Sequence, residues 1–352
     1  MSSRRRYRAL VKAYLALDPQ LPLTAVPAYA RRAERLGFDG VHVPETIHDS
    51  LAVSLLALEH TERIVVRTAV TLALVRSPTL VAYAAWDLAA FSRGRFELGL
   101  GTQIRQNIED RFGMPWSEPV ARMRDYLGAL RAVFDTFATG APLHFDGEHY
   151  RLTRMQPYFN PGPIDVAPPP IWLGAVNARM CEAAGELARG VVTHTTNSDP
   201  DYLREVVRPA LRDGAQRARR SDQPSVIVSP AIATGSSDSA VAADRERHRR
   251  MLAFLYTTPA YGAALKRRGL SHLPDLLRGL VRDQRWDELP AALPDTVLDQ
   301  VLVTGRYDQL PAVLHTQFDA LADGVVLPPL GHGGDDDPVA ECVDELHGDH
   351  LP

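Results

Sequence analysis

The sequence predicts a (β/α)8 TIM barrel. Three observations point to that α/β fold class. Short β-branched runs alternate with longer stretches of helical periodicity, as in a parallel sheet covered by helices. Eight such strand-helix units can be counted, the number that closes a barrel. A glycine also recurs between a helix end and the next strand, in Leu36-Gly37-Phe38-Asp39-Gly40-Val41, Leu187-Ala188-Arg189-Gly190-Val191-Val192 and Leu321-Ala322-Asp323-Gly324-Val325-Val326. Such a junction needs a residue that can take positive φ or pack closely. An open doubly wound sheet would show the junctions too, so the strand count carries the choice.

In chain order, the first strand is expected at residues 10–17. The helix after it, 24–36, repeats Val26, Ala30, Ala33 and Leu36 at helical spacing and stops at Gly37. Further strands are expected at 41–44, 64–74, 95–101, 171–176, 191–195, 226–234 and 325–328. Two segments interrupt the alternation within what reads as a single domain, 1–352. The first, about 140–170, is rich in proline (Pro161, Pro163, Pro168 to Pro170) and is expected to cross the barrel mouth. The second, about 236–299, is charged and helical, and is expected to cover the site and meet a partner subunit. Asp335 to Asp337, after His332, read as a solvated acidic turn.

Composition narrows the class. The 352 residues are 45% hydrophobic and 23% charged, ordinary for a globular protein with a large core. A net charge of −4 gives no field that would gather nucleic acid or anionic membrane, and the basic start at Arg4, Arg5, Arg6 and Arg8 is too short to change that. The apolar run at 10–17 contains Lys12 and precedes no small-residue cleavage site, and no stretch reaches the roughly 20 apolar residues of a membrane span. Two distant cysteines, Cys181 and Cys342, fit a reducing compartment. The expectation is a cytoplasmic protein with neither nucleic-acid nor membrane partners.

Generic catalytic motifs are missing: no phosphate-binding P-loop, no His-Glu-x-x-His, no nucleophile elbow, no cysteine cluster. No metal site is expected, since His42, Glu45 and His48 read better as cofactor-facing or surface groups. Leu98-Gly99-Leu100-Gly101-Thr102 lacks the third glycine of a dinucleotide fingerprint. It reads instead as a buried strand entering the mouth, with glycine letting the backbone come close to a flat ring or its side chain. Gly101 is then a candidate cofactor contact, and Thr102, Gln103, Arg105 and Glu109 are candidate polar contacts on the following loop, with a plain surface charge as the other reading of Arg105.

Several runs occur in an order that resembles the bacterial luciferase-like monooxygenase superfamily. They are Ala33-Glu34-Arg35-Leu36-Gly37-Phe38-Asp39-Gly40-Val41 leading to Glu45, Ser77-Pro78, Phe91-Ser92-Arg93-Gly94-Arg95-Phe96-Glu97-Leu98-Gly99-Leu100-Gly101, and Pro169-Pro170-Ile171-Trp172-Leu173-Gly174-Ala175. The stretch from Gly101-Thr102-Gln103-Ile104-Arg105 through Arg111-Phe112-Gly113-Met114-Pro115-Trp116 is similar to an actinobacterial branch of coenzyme F420-dependent oxidoreductases. The resemblance covers residues 10–235 and, weakly, the last strand.

The resemblance implies an oxidoreductase whose deazaflavin or flavin ring lies in the barrel mouth. The ring would rest on a third-strand bulge with a non-proline cis peptide within Thr68-Ala69-Val70-Thr71. It further implies a cofactor phosphate at Gly174, Ala175, Val176 and Asn177, where small residues and helix N-terminal amides favour an anion, with His194 and Thr195 adding donors. Hydride transfer needs one acid or base near the reacting atom, and Glu45, His42 and Glu109 are the candidates, with the neighbouring His48. Here Pro44-Glu45-Thr46 stands where many deazaflavin relatives carry an Asp-His pair, which leaves the proton donor open. The implied reaction is hydride transfer between coenzyme F420 and a small-molecule substrate. The alternatives are an FMN-dependent monooxygenase supplied by a flavin reductase, and a barrel that binds without catalysis. The resemblance also implies a homodimer through the barrel helices, with Trp86, Phe91 and Phe134 as candidate anchors or core residues.

Overall fold

The computed structural model describes residues 12–331 and 334–348. Residues 10 and 11 of the expected first strand, the basic start and His332 lie outside them. Eight parallel strands close on themselves: β1 (Ala13–Ala16), β2 (Gly40–Val43), β3 (Val65–Thr68), β4 (Phe96–Gly101), β5 (Ile171–Gly174), β6 (Gly190–Val192), β7 (Ser225–Val228) and β8 (Gly324–Leu327). Each pairs with the next, and β8 pairs back to β1 through Ala13 with Val325 and Leu15 with Leu327. The helices that cover the strands are α1 (Val26–Arg35), α2 (Ser50–Glu59), α3 (Pro78–Phe91), α4 (Pro119–Thr139), α5 (Ala178–Leu187), α6 (Arg208–Arg217), α7 (Leu310–Phe318) and α8 (Asp336–His347). The chain is a (β/α)8 barrel, as the alternation predicts.

Strand periodicity divides the core in two. Val41, Val43, Val66, Leu98, Leu100, Leu173, Val191, Val226 and Val325 join the large core that includes the helices. Residues of the other parity, Tyr14, Trp172, Val192, Ile227 and Val326, form a separate cluster. The repeated junction glycines serve close approach. A Cβ on Gly40 would stand 2.4 Å from the Val65 carbonyl oxygen, on Gly190 2.0 Å from that of Ser225, and on Gly324 2.8 Å from that of Lys12. Only Gly37, at the end of α1, uses the left-handed region, with φ +86.

Several expected strands are shorter than their apolar runs. The run 64–74 breaks after Thr68 at a cis peptide between Ala69 and Val70, and the chain resumes pairing with β4 at Thr71–Leu72. The run 226–234 divides into β7 and a short strand, Ile232–Ala233, that pairs with Val303–Thr304.

The proline-rich segment corrects an expectation: it runs along the outer side of α3 and α4 instead of crossing the mouth. Trp86 Nε1 donates to the Gly162 carbonyl at 3.0 Å, Asn160 Nδ2 to that of Thr136 at 3.0 Å, and Tyr83 to that of Phe159. The helical segment after β7 contains Asp238–Leu255, Leu273–Arg282 and Asp295–Val301, packed on a core of their own that includes Leu252, Tyr256, Leu277, Leu293 and Leu298.

Candidate active site at the barrel mouth

The β3 bulge and the ends of β4 and β5 fit together through missing side chains. Thr68 Oγ1 donates to the Gly99 carbonyl at 2.8 Å and accepts from the Gly99 amide at 2.9 Å. A Cβ on Gly99 would fall 1.8 Å from the Thr68 carbonyl oxygen. Val70 then nests on two more glycines. A Cβ on Gly101 would meet its Cγ2 at 2.4 Å, and one on Gly174 its Cγ1 at 3.0 Å. The glycines therefore admit the protein's own bulge. This brings Thr68, Val70, Gly101 and Gly174 together, with Ala69 held by its amide on the Val43 carbonyl at 2.7 Å.

Beside Gly174, the turn into α5 is fixed from the next loop. Asn197 Nδ2 donates to the Ala175 carbonyl at 2.9 Å and the Tyr202 hydroxyl to that of Val176 at 2.8 Å. Asn177 is the N-cap, its side chain accepting from the Met180 amide at 3.0 Å. That uses one first-turn amide, and an α-helix leaves its other first amides without intrahelical partners, in a field that favours an anion. His194 stands at the end of β6. Its Nδ1 accepts from the Thr196 amide at 3.3 Å, and its ring stacks on Tyr261 of the helical segment, 4.4 Å between centroids. Burial pushes its pKa down to about 4, so it is neutral near pH 7.

The three candidate acid-base groups have different surroundings. Glu45 is bound at both oxygens: Oε2 accepts from the Leu72 amide at 2.7 Å and from Arg76 Nη1 at 3.1 Å, while Oε1 pairs with Arg76 Nη2. Arg76 also reaches Asp49, the N-cap of α2, at 2.8 Å. Glu45 thus ties the β2 loop to the chain after the bulge. Glu109 is paired with exposed Arg105 at 2.8 Å on the turn Asn107–Arg111. His42 is buried beside Arg67, and its pKa is driven well below the usual histidine value by burial and then by that guanidinium. Thr102 and Gln103 sit on the β4 exit, Gln103 at φ +63 with its side chain accepting from the Ile104 amide at 2.9 Å.

Thr195 lines a cavity of about 350 Å³ that opens beside β6, between Thr196, Ser198, Asp199 and the helical segment's Tyr256 and Arg268. None of the other expected cofactor contacts lines it.

The family model for luciferase-like monooxygenases matches residues 10–324. The chain belongs to this family. It is similar to an uncharacterized protein of Mycobacterium tuberculosis, 38% identical over 316 residues that span 89% of this chain and 92% of the relative. It is 29% identical over 250 residues to an F420-dependent glucose-6-phosphate dehydrogenase of Nakamurella multipartita, 68% of this chain and 69% of that one. A solved coenzyme F420-dependent tetrahydromethanopterin reductase from Methanopyrus kandleri superposes with a TM-score of 0.76 at 19% identity, covering 97% of this chain and 98% of that one.

Within this luciferase-like barrel, sequence reasoning missed Arg67, Arg76, Tyr14 and Tyr261. A signal existed for the first: Arg67 is a lone charge in the apolar run 64–74, and burying a charge requires a partner across the sheet. Tyr261 lies in the helical segment, where no pattern announced it.

Proposed function

We propose that this chain is a coenzyme F420-dependent oxidoreductase that moves a hydride between the reduced deazaflavin and a small organic molecule. One observation carries the reading: the Thr68 to Thr71 bulge and the anion-favouring start of α5 adjoin, because Val70 packs on Gly174. A group with a flat ring and a phosphate fits that pairing, the ring along the bulge and the phosphate at Gly174 to Asn177. The similarity to a glucose-6-phosphate dehydrogenase named for F420 favours deazaflavin over FMN.

When bound, the cofactor supplies the hydride chemistry. The residues position and polarise. Thr68, Ala69, Val70 and Gly101 shape the ring's support, and Gly174, Ala175, Val176 and Asn177 hold the phosphate. Thr102, Gln103 and Arg105 line the loop after β4. With Nδ1 accepting from Thr196, the His194 proton sits on Nε2, where it can polarise a substrate carbonyl, and Thr195 lies beside it. Glu45, held by Arg76, keeps the rim in place. Tyr261 excludes water from the His194 side. No helix among the described residues is long and apolar enough to cross a membrane; the proposed setting is the cytoplasm, as a homodimer.

Absorbance titration of the purified protein with F420 and with reduced FMN tests the reading. Saturable F420 binding with substrate-dependent oxidation of reduced F420 is expected. Turnover that needs reduced FMN, oxygen and a flavin reductase, without F420 binding, would overturn it in favour of a monooxygenase. Binding of neither cofactor would mark a barrel without catalysis.

A further inference from the structure

The polar cluster inside the barrel is unusual for a core. Arg67 on β3 is 1% exposed. Its Nε donates to Glu97 Oε2 at 2.6 Å, and Nη2 pairs with the same carboxylate. Nη2 also donates to the Tyr14 hydroxyl at 3.2 Å, and the guanidinium carbon lies 3.9 Å from the Trp172 ring centroid. Nη1 stands 2.8 Å from His42 Nε2.

That last contact has a single chemical reading. A guanidinium has donors and no acceptor, and it keeps its proton in proteins. His42 Nε2 must therefore present its lone pair. A neutral imidazole carries one proton, so that proton is on Nδ1, which makes no hydrogen bond to the described residues.

We propose that Arg67, anchored by Glu97, is a positioning residue that fixes His42 as the Nδ1–H tautomer, so that its other ring nitrogen is a hydrogen-bond donor and not a base. Register supports the arrangement, because His42 pairs with Arg67 and Arg67 with Glu97 across β2, β3 and β4. The ligand group that suits this donor is a carbonyl oxygen or an unprotonated ring nitrogen. Sequence alone left His42 a candidate acid or base, and the neighbouring guanidinium removes the basic role. The consequence for a ligand rests on the cofactor reading above, but the tautomer does not.

The test is therefore made on the protein without cofactor. Side-chain nitrogen and carbon NMR shifts are measured with histidine labelling, and the His42 signals are assigned by their loss in His42→Gln. The Nδ1–H pattern is expected across neutral pH. In Arg67→Met the majority form should revert to Nε2–H, which predominates for a neutral histidine side chain in water, whereas Arg67→Lys, still donor-only, should restore Nδ1–H. An Nε2–H or doubly protonated His42 in the wild-type protein would overturn the proposal, and this measurement stands even if Arg67→Met fails to fold. An Arg67→Met protein that folds and keeps the Nδ1–H form would overturn it equally.

Discussion

His194 shows how much a single ring depends on what faces it. Its Nδ1 is engaged by Thr196 and its face by Tyr261, so protonation would place a charge where burial already holds the pKa down at about 4. In the unfolded chain the same group titrates near 6.5. Between those values the unfolded state binds a proton that the folded state does not, so stability falls as pH drops from about 6.5 to about 4 and levels off below. Burial acts on His42 with the same sign. Calorimetric Tm values at pH 7.5 and pH 5 should show this loss, and the drop should be smaller in His194→Gln. An equal drop in both proteins would remove His194 from the account. The residue was legible in the sequence because it follows a barrel strand, where side chains face the mouth. Arg76 was not, because the Glu45 it binds lies in a different βα loop and only the closed barrel brings the two together.

At the level of elements, the same residue type does two jobs that sequence could not separate. Gly190 and Gly99 both admit a neighbouring carbonyl where a Cβ would stand 2.0 Å and 1.8 Å away. Gly190 opens β6 and touches the start of β7. Gly99 accommodates Thr68, where the bulge begins. Replacing either with alanine must shift backbone, at a cost of roughly 1–3 kcal/mol. Gly99→Ala and Gly190→Ala should therefore lose similar amounts of stability in denaturant melts. Only Gly99→Ala should also weaken F420 binding, by on the order of tenfold if about 1.4 kcal/mol of the strain reaches the bulge. Equal binding by the two variants would place the bulge outside the cofactor site. The helix-glycine-strand repeat announced the first job, since each copy opens a strand. Nothing in Leu98-Gly99-Leu100-Gly101 announced that Thr68 and Val70 fill its gaps, because they arrive from another strand. The route of the proline-rich segment was equally hidden, as its partners on α3 and α4 are set by tertiary packing.

For the whole molecule, the outer surface of α2 and α3 is out of keeping with a solvated face. The α2 sequence Ser-Leu-Ala-Val-Ser-Leu-Leu-Ala-Leu-Glu has no charge before Glu59, and Asp87 is the one charged residue of α3. Val53, Ala57, Val81, Ala85 and Trp86 turn inward, yet Leu55, Leu80 and Phe91 remain exposed on the other side. Tyr158 and Phe159 add apolar area where the proline-rich segment meets α3 through Tyr83. A helix that is apolar all round is one that becomes buried, and a patch of this kind marks an association surface. Of the three aromatic anchors expected from the sequence, Trp86 and Phe134 stack on each other in the core, 5.5 Å between centroids, which leaves Phe91 for the surface. Two copies meeting through α2 and α3 would satisfy both outer faces with one symmetric contact, and a stable contact needs roughly 1,200–2,000 Å² in total. Light scattering coupled to size exclusion should then give a dimer for the wild-type protein. Leu80→Asp combined with Phe91→Glu should give a monomer with an unchanged circular dichroism spectrum, because neither side chain belongs to the core. A wild-type monomer at micromolar concentration, or a double variant that stays dimeric, would move the interface away from these helices.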